Sequence, residues 1–447
     1  MTAQIIPSKT SAEVALAEAF GTARAKLPGN AEVAQLREAS FESFSKAGLP
    51  HRRIESWHYT DLRALMREAL PLAQPPGAEA IAALGKEMRA AGLPAQSLVL
   101  VDGVFIPELS AKLPEGVRVS SLAAALAEGR RDVVTALSAE WAGVKDPIVS
   151  LNAALMQDGV VIDIAPGTKL DAPIRLVYAS VSATPVAHFS RSLVLVGTGA
   201  SVQISETSFG SGGRKGQINN ALVIVGGDEC DIAHTLSLTD TEPGSLRLES
   251  FMVKLGAKAH FDSFALITGG GIVRRQIFLR FDGADTKANL RGVSLLRGRE
   301  HADTTLFVEH CAPGCEGREN FRYILDDEAV GVFQGRIHVA PAAQKTDSKM
   351  LCKALLLTDK VAMNSKPELE IFADDVVCGH GATCGGLNED QIFYLQTRGL
   401  TFAQAEALLL DAFGGELVDE LPDESLVAAF RAEIAAWLAK RPQGARL

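Results

Sequence analysis

The sequence predicts a mainly β protein, in which a parallel β-helix lies between a helical N-terminal region and a helical C-terminal region. From about residue 147, short alternating runs that end in Gly or Asp continue for some 230 residues with hardly any helical period. Four of these runs start at residues 193, 222, 252 and 278, which is a repeat of 26 to 30 residues. Such a period, with short strands and no crossover helix, indicates a solenoid of parallel strands. We therefore expect three domains, at 1–145, 146–386 and 387–447.

Helix and turn signals occupy the predicted N-terminal domain. Thr10 and Glu13 form a capping-box pattern before an apolar run, and a second helix is expected from Asn30 to about Gly48. One β-hairpin follows, with a two-residue turn at Asp102 and Gly103, because these residue types accept the left-handed conformations that such turns need. The first domain is thus predicted to be helical with a single hairpin.

Each coil of the core is predicted to hold two strands whose inward side chains stack on those of the neighbouring coils. The first strands are residues 193–197, 222–226, 252–256 and 278–282, and the second strands begin at Val202, Asp231, His260 and Lys287. This alignment matches Gly226 with Gly256, so Val225 and Leu255 are both expected to point inward. A β-sandwich or another stack of hairpins is the alternative fold, but the repeat contains few of the Asn-Gly and Asp-Gly turns that hairpins favour.

Helical patterns return after Gly386. Asn388 is expected to cap one helix, and Thr401 with Gln404 is expected to open a second. A last helix begins after Pro422 and places four apolar residues on one stripe: Val427, Phe430, Ile434 and Trp437. Two interpretations of this stripe stay open, because it could pack against its own chain or dock a partner protein.

Composition and missing motifs exclude several classes of function. The chain has 54 acidic and 44 basic residues, a formal net charge of -10, and no Lys/Arg run that could follow a phosphate backbone, so nucleic acid is not an expected partner. It contains no GxxxxGK[ST] loop, no GxGxxG opening a helix and no GxSxG elbow, so no enzyme activity is predicted. A polysaccharide-cleaving site at Asp374 and Asp375 is disfavoured, because adjacent strand residues point to opposite faces.

The expected location is the cytoplasm, without contact with a membrane. The first 20 residues show neither a secretory nor an organelle-import pattern, and no apolar run approaches the roughly 20 residues that span a bilayer. Six cysteines in a chain of this length are too few for a disulfide framework, so they are expected to be reduced thiols.

Soft and imidazole ligands are concentrated late in the sequence. The first group is His310, Cys311 and Cys315, and the second is Cys378, His380 and Cys384. Thiolate and imidazole suit iron, zinc and iron-sulfur clusters. Neither group has paired CxxC motifs at zinc-ribbon spacing, so a structural metal-binding β-helix protein and simple packing of thiols both remain possible interpretations.

Six stretches of the sequence resemble the SufB/SufD family of iron-sulfur cluster assembly proteins. They are residues 335–339 (GRIHV), 344–347 (QKTD), 353–357 (KALLL), 366–371 (KPELEI), 374–383 (DDVVCGHGAT) and, near the start, 53–60 (RIESWHYT). The stretches 353–357 and 53–60 look like the SufD branch. A SufB-type scaffold is the alternative, and Cys352 is left without an assigned role.

The resemblance implies a right-handed parallel β-helix and a non-ATPase subunit of the SUF assembly complex. It implies a heterodimer with SufB through the β-helix, binding of the ATPase SufC through the C-terminal helices with the stripe Val427, Phe430, Ile434 and Trp437, and an indirect link to a cysteine desulfurase. His380, with Cys378, resembles the residue that serves cluster assembly or iron binding at the SufB interface. Support of iron acquisition is also implied. No tightly bound cofactor is expected in the isolated subunit, and iron or an Fe-S cluster would be held transiently in the complex with SufB.

Overall fold

The alternating runs form strands that coil around a common axis, so that each strand stacks on the equivalent strand of the next coil. The computed structural model describes residues 9–93, 96–138, 145–209, 216–239 and 244–441. Residues 1–8, which belong to the segment where we recognised no targeting signal, lie outside the described residues.

The helices precede and follow the strands. The α-helices are α1 (Ser11–Ala23), α2 (Ala31–Ala47), α3 (Leu62–Leu65), α4 (Ala78–Ala90), α5 (Leu122–Ala127), α6 (Arg131–Ser138), α7 (Pro147–Leu155), α8 (Glu389–Thr397), α9 (Phe402–Gly415) and α10 (Glu424–Ala439). Short 3-10 helices cover Glu55–Trp57 and Pro107–Leu109. The strands are β1 (Ser97–Val101), β2 (Val104–Phe105), β3 (Val117–Ser121), β4 (Val160–Ile164), β5 (Ile174–Ala179), β6 (Ala187–Val196), β7 (Ser201–Phe209), β8 (Gln217–Gly226), β9 (Asp231–Leu238), β10 (Leu246–Leu255), β11 (His260–Thr268), β12 (Ile272–Phe281), β13 (Lys287–Leu296), β14 (His301–His310), β15 (Glu316–Leu325), β16 (Val330–Val339), β17 (Asp347–Leu356), β18 (Ala362–Ile371) and β19 (Val377–Gly385).

Successive strands alternate between two sheets. Sheet 1 has the order β2-β1-β5-β7-β9-β11-β13-β15-β17-β19, and sheet 2 has the order β3-β4-β6-β8-β10-β12-β14-β16-β18. The pairs are parallel along both sheets, except β1 with β2 and β3 with β4 at one end. The predicted fold class, a mainly β protein with a parallel β-helix flanked by helical regions, is confirmed.

The core lies between the two sheets, where inward side chains stack in columns from coil to coil. Leu255, Phe261 and Phe281 are fully buried there. The register corrects one prediction, because Val225 pairs with Leu195 and Lys254 and packs with the outer face of sheet 2. Our expectation that Val225 points inward is therefore wrong, whereas that for Leu255 is confirmed.

The error arises at a pair of glycines. Gly226 pairs with Leu255 inside the β10 ladder, and Gly227 follows the strand at the place that Gly256 takes in the next coil. Because the side-chain period of a strand is two, a shift of one residue exchanges the inward and outward faces. In the sequence, either Gly226 or Gly227 could be the glycine that follows the strand, and only the strand register distinguishes them.

The N-terminal region covers the outer face of sheet 2. Val33 on α2 belongs to the same buried apolar cluster as outward side chains of sheet 2 such as Met252 on β10. Trp57 is fully buried, its Nε1 donates a hydrogen bond to Asp146 Oδ2 at 2.9 Å, and the Arg274 guanidinium lies 3.7 Å from its ring centre. The motif around Trp57 thus attaches the N-terminal region to the solenoid.

The predicted caps and the predicted hairpin are confirmed. Capping boxes begin α1 at Thr10 and α9 at Thr401, and Asn30 and Asn388 cap α2 and α8. In the hairpin, Asp102 and Gly103 have positive φ angles of 48° and 85°. Strand β1 also pairs with β5, so the hairpin supplies the first strands of sheet 1. Among the described helices, none combines the length and the apolar character needed to cross a membrane.

Candidate functional site

The last coil of the solenoid has open edges. Strand β18 pairs with β16 and strand β19 pairs with β17, and in the described part of the chain no strand lies on their other sides. The backbone groups that point away from β16 and β17 along these two strands are therefore available for pairing. Apolar side chains here face solvent, with Val377 exposed by 62% and Phe372 by 60%.

Residues 372–376 form the turn that leads into β19. The Asp375 backbone N–H donates a hydrogen bond to Gln344 Oε1 at 2.9 Å, and the Lys345 N–H donates one to the Asp375 carbonyl at 2.7 Å. Asp374 and Asp375 are both exposed in this turn. They lie outside the strands, so the strand geometry that we used to disfavour a polysaccharide-cleaving site does not apply to them.

Strand β19 places the predicted site residues on one face. Cys378 is the register partner of Ser348 and His380 is the partner of Met350, whose side chain belongs to the interior core. Cys378 and His380 thus face the open end of the interior, with Cα atoms about 6.6 Å apart, since a strand rises about 3.3 Å per residue. A Cβ atom on Gly379 would meet no atom within 4 Å, so the opposite face of the strand is unobstructed.

The two predicted site residues differ in exposure. Cys378 is half-buried and His380 is exposed. Burial raises the pKa of the Cys378 thiol, a backbone N–H of Ser348 opposes this, and the charges of Asp347 and Glu319 add to the rise. The Cys378 thiol therefore holds its proton more tightly than an unperturbed cysteine.

An unpaired carboxyl group lies two coils deeper. Glu319 precedes Met350 and His380 in one register column, and it is only 1% exposed. Neither of its side-chain oxygens has a hydrogen-bond partner among the described residues. Burial raises its pKa to about 8, although the charge of Arg318 opposes the rise.

Sequence reasoning missed Glu319, Ser348 and Met350. Ser348 Oγ lies 3.3 Å from Nε2 of the buried His310, whose pKa is lowered to about 3 by burial. The repeat could have found these residues, because positions 319, 350 and 380 follow one another at intervals of 31 and 30 residues. These positions lie in coils after the four whose repeat is described above.

The first group of soft ligands is not arranged as a metal site. His310 stacks on Phe281 with ring centres 4.3 Å apart, and Cys315 Sγ donates a hydrogen bond to the Gly283 carbonyl at 3.3 Å. Cys311 is half-buried beside them in the sequence. In the described ranges, no three His, Cys, Asp or Glu side chains are grouped as ligands for one metal ion.

The apolar stripe on α10 packs against its own chain. Phe430, Ile434 and Trp437 are buried, and Val427 is partly buried beside them, on the outer face of sheet 1. The rings of Phe264 and Phe430 lie 4.9 Å apart. The stripe therefore packs against its own chain, which is the first of the two interpretations. Contact of these four residues with an ATPase stays a prediction.

Other apolar side chains of the C-terminal helices do face solvent. Phe393 and Tyr394 on α8 are exposed by 69% and 57%, and Leu408 on α9 is exposed by 50%. Single exposed apolar residues are ordinary, but large aromatic side chains that are exposed together are typical of protein contacts. The residue types alone do not distinguish them from apolar residues of the same helices that are buried, such as Ile392 on α8 and Leu410 on α9.

Comparison with known proteins gives a consistent family. Residues 178–413 match the model described as "SUF system FeS cluster assembly, SufBD core domain", and residues 14–176 match the "SufBD protein N-terminal region". An iron-sulfur cluster assembly SufBD family protein of Synechocystis is 30% identical over 88% of this chain and 89% of its own. The iron-sulfur cluster assembly protein SufD of Escherichia coli is 28% identical over 90% of this chain and 91% of its own. This chain therefore belongs to the SufBD family of the SUF iron-sulfur cluster assembly system.

Proposed function

We propose that the chain is the SufD-type subunit of a SUF complex and is not itself an enzyme. It would pair with a SufB-type protein, carry the ATPase SufC and help to build nascent Fe-S clusters. The observation that carries this proposal is the open last coil, where Cys378 and His380 lie beside unpaired strand edges. The similarity to SufD over most of both chains supports the same assignment.

The open end suits a partner that adds strands. Free edges of β18 and β19 can continue both sheets into a second chain, and the exposed Val377 and Phe372 would be covered in the process. A partner seated there would close the interior over Cys378 and His380. It would also exclude water from these groups and bring ligands of its own.

The cargo would be iron or a nascent Fe-S cluster, held between the two chains. The Cys378 thiolate is a soft ligand, and a neutral imidazole nitrogen of His380 suits iron or can receive a proton during sulfur delivery. Among the described residues, no third His, Cys, Asp or Glu is grouped with these two ligands, so we expect a partner to complete the cluster site. The sulfur would come from a cysteine desulfurase that acts on the complex without binding this chain directly.

Binding of SufC is proposed to use exposed parts of α8 and α9. Phe393, Tyr394 and Leu408 offer apolar surface, whereas the α10 stripe holds these helices against sheet 1. In this arrangement Val427, Phe430, Ile434 and Trp437 contribute indirectly, by keeping the docking surface in place.

The test is co-expression of the chain with its SufB and SufC, followed by purification of the complex. His380→Ala should leave the three-protein complex intact, because His380 is exposed, but should strongly reduce cluster formation in cells. Cys378→Ala should have a smaller effect. The matched control is His58→Ala, another exposed histidine, which should keep wild-type cluster formation. A His380→Ala complex that builds clusters at the wild-type rate would contradict the proposed site.

A further inference from the structure

Two further thiols lie on the inward faces of the last two strands of sheet 1. Cys352 on β17 is the register partner of Ala382, and Cys384 on β19 is the register partner of Ala354. The two cysteines are thus diagonal neighbours, and alanines occupy the opposite diagonal. No bulky side chain of these four positions stands between the sulfur atoms.

The separation of the two cysteines decides what can join them. Neighbouring strands lie about 4.8 Å apart and two residues span about 6.6 Å along a strand, so the diagonal Cα atoms are about 8 Å apart. A disulfide cannot bridge Cα atoms more than about 7 Å apart without movement of the backbone. A metal ion inserted between the sulfurs lengthens the bridge, because two bonds of about 2.3 Å separate the sulfurs by about 4.6 Å.

The surroundings favour a metal ion that needs only two ligands. Cys352 is buried, whereas Cys384 is exposed and leaves a route from solvent. Burial raises the pKa of the Cys352 thiol, a hydrogen bond with Ser365 opposes the rise, and an electrostatic interaction with Cys384 adds to it, so the two cysteines are close enough to interact. Zinc requires four ligands, and the described residues provide no group of three His, Cys, Asp or Glu.

These thiols are separate from the site proposed for cluster assembly. Cys384 is six residues after Cys378 and four after His380 on one strand, which places it about 20 Å and about 13 Å away along β19. One ion cannot bind Cys384 and either of those residues at the same time. The inference therefore does not depend on the proposed function.

We propose that Cys352 and Cys384 form a two-coordinate site for a soft monovalent metal ion, with Cu(I) as the cellular example. Thiolates select Cu(I) over harder ions, and binding would release the protons of both thiols to water. The two alanines provide the room for the ion. Occupation would link β17 to β19 at the open end of the solenoid.

The experiment is an anaerobic titration of the isolated full chain with Cu(I) in competition with a chromophoric Cu(I) chelator. The starting protein carries Cys378→Ser and His380→Ala, so that the other site cannot contribute. One equivalent of Cu(I) should be withheld from the chelator, and Cys384→Ser should weaken this binding at least 100-fold. Cys311→Ser is the matched control and should leave the affinity unchanged, since Cys311 is a half-buried cysteine elsewhere in the chain.

A second variant tests the geometry while both thiols remain. Ala382→Val adds two methyl groups at an exposed position beside Cys352 and should weaken Cu(I) binding at least 10-fold without unfolding the chain. Cys352→Ser should match Cys384→Ser if it folds, as judged by far-UV circular dichroism. The proposal is overturned if the starting protein does not withhold Cu(I), or if Cys384→Ser and Ala382→Val bind it as tightly as the starting protein.

Discussion

The two ends of the solenoid are finished in different ways. At the N-terminal end, sheet 1 is completed by the antiparallel β1–β2 hairpin and sheet 2 by the antiparallel strand β3. At the C-terminal end, no other strand of the described ranges pairs with the outer edges of β18 and β19, and their inward side chains are partly or fully exposed. A solenoid needs caps to remain soluble, so we propose that the first end serves stability and the second end serves association.

The difference in burial between the middle and the open end should appear in stability. Leu255→Asp would bury an unpaired carboxylate among stacked coils and should cost more than about 4 kcal/mol of unfolding free energy. Leu369→Asp, at an inward but partly exposed position of β18, should cost about 1 kcal/mol. Urea denaturation of the isolated chain measures both. Equal losses would show that the last coil is as well covered as the middle.

The aspartates in the turns at the two ends provide a second comparison. The buried Asp102 accepts hydrogen bonds from Ser180 Oγ at 2.6 Å and Ser182 Oγ at 2.8 Å at the closed end. Asp102→Ala should therefore cost about 2 kcal/mol, because these hydroxyl groups lose their acceptor and because the positive φ of position 102 suits Asp better than Ala. Asp374→Ala, in the exposed turn at the open end, should stay within about 0.5 kcal/mol of wild type in the same denaturation experiment. A large loss at Asp374 would mean that this turn also has a structural role.

Glu319 should make the open half of the solenoid sensitive to pH. Its pKa is raised by burial from 4.5 to about 8, so the folded chain binds the proton more tightly than the unfolded chain. The stability from this group is complete below pH 4.5 and is lost as the pH rises through 8. Glu319→Gln cannot ionise, so its melting temperature relative to wild type should rise between pH 5.5 and pH 8.5.

The control for this pH series is Glu370→Gln, at an exposed position near the end of β18. Its melting temperature should follow that of wild type at every pH. Parallel curves for Glu319→Gln and wild type would show that Glu319 does not titrate in this range.

Substitutions of the exposed apolar residues at the open end should have the smallest effect on stability. They should have a large effect on association with partners. Val377→Lys and Phe372→Glu should change the melting of the isolated chain little, because both side chains already face solvent. Both should weaken co-purification with SufB while SufC binding persists. Phe393→Glu on α8 should give the opposite result, with loss of SufC and retention of SufB. If all three variants keep both partners, the assigned surfaces are wrong.

The features that the sequence predicted well are those that depend on near neighbours in the chain. The caps at Thr10 and Thr401 and the turn at Asp102 and Gly103 are local, because each involves hydrogen bonds or φ angles within a few residues. The β-helix itself was predictable because each coil contacts only the coils next to it. The same pattern of apolar residues therefore recurs in the sequence once per coil. Cys378 and His380 were proposed from their residue types and from the family resemblance, and their role stays a prediction.

Only the tertiary structure decided which way individual side chains point and how deeply they are buried. The inward or outward direction of Val225 depended on which of two adjacent glycines closes the strand, and that choice is made by pairing with other coils. The stripe with Phe430 could pack against its own chain or dock a partner, and in the structure it packs against the outer face of sheet 1. Glu319 looks in the sequence like an ordinary surface charge, and only the stacking of the last coils buries it behind His380. The side-chain period and the helix caps depend on residues that are near in the sequence. Burial depends on residues that are distant in the sequence and that only the fold brings together.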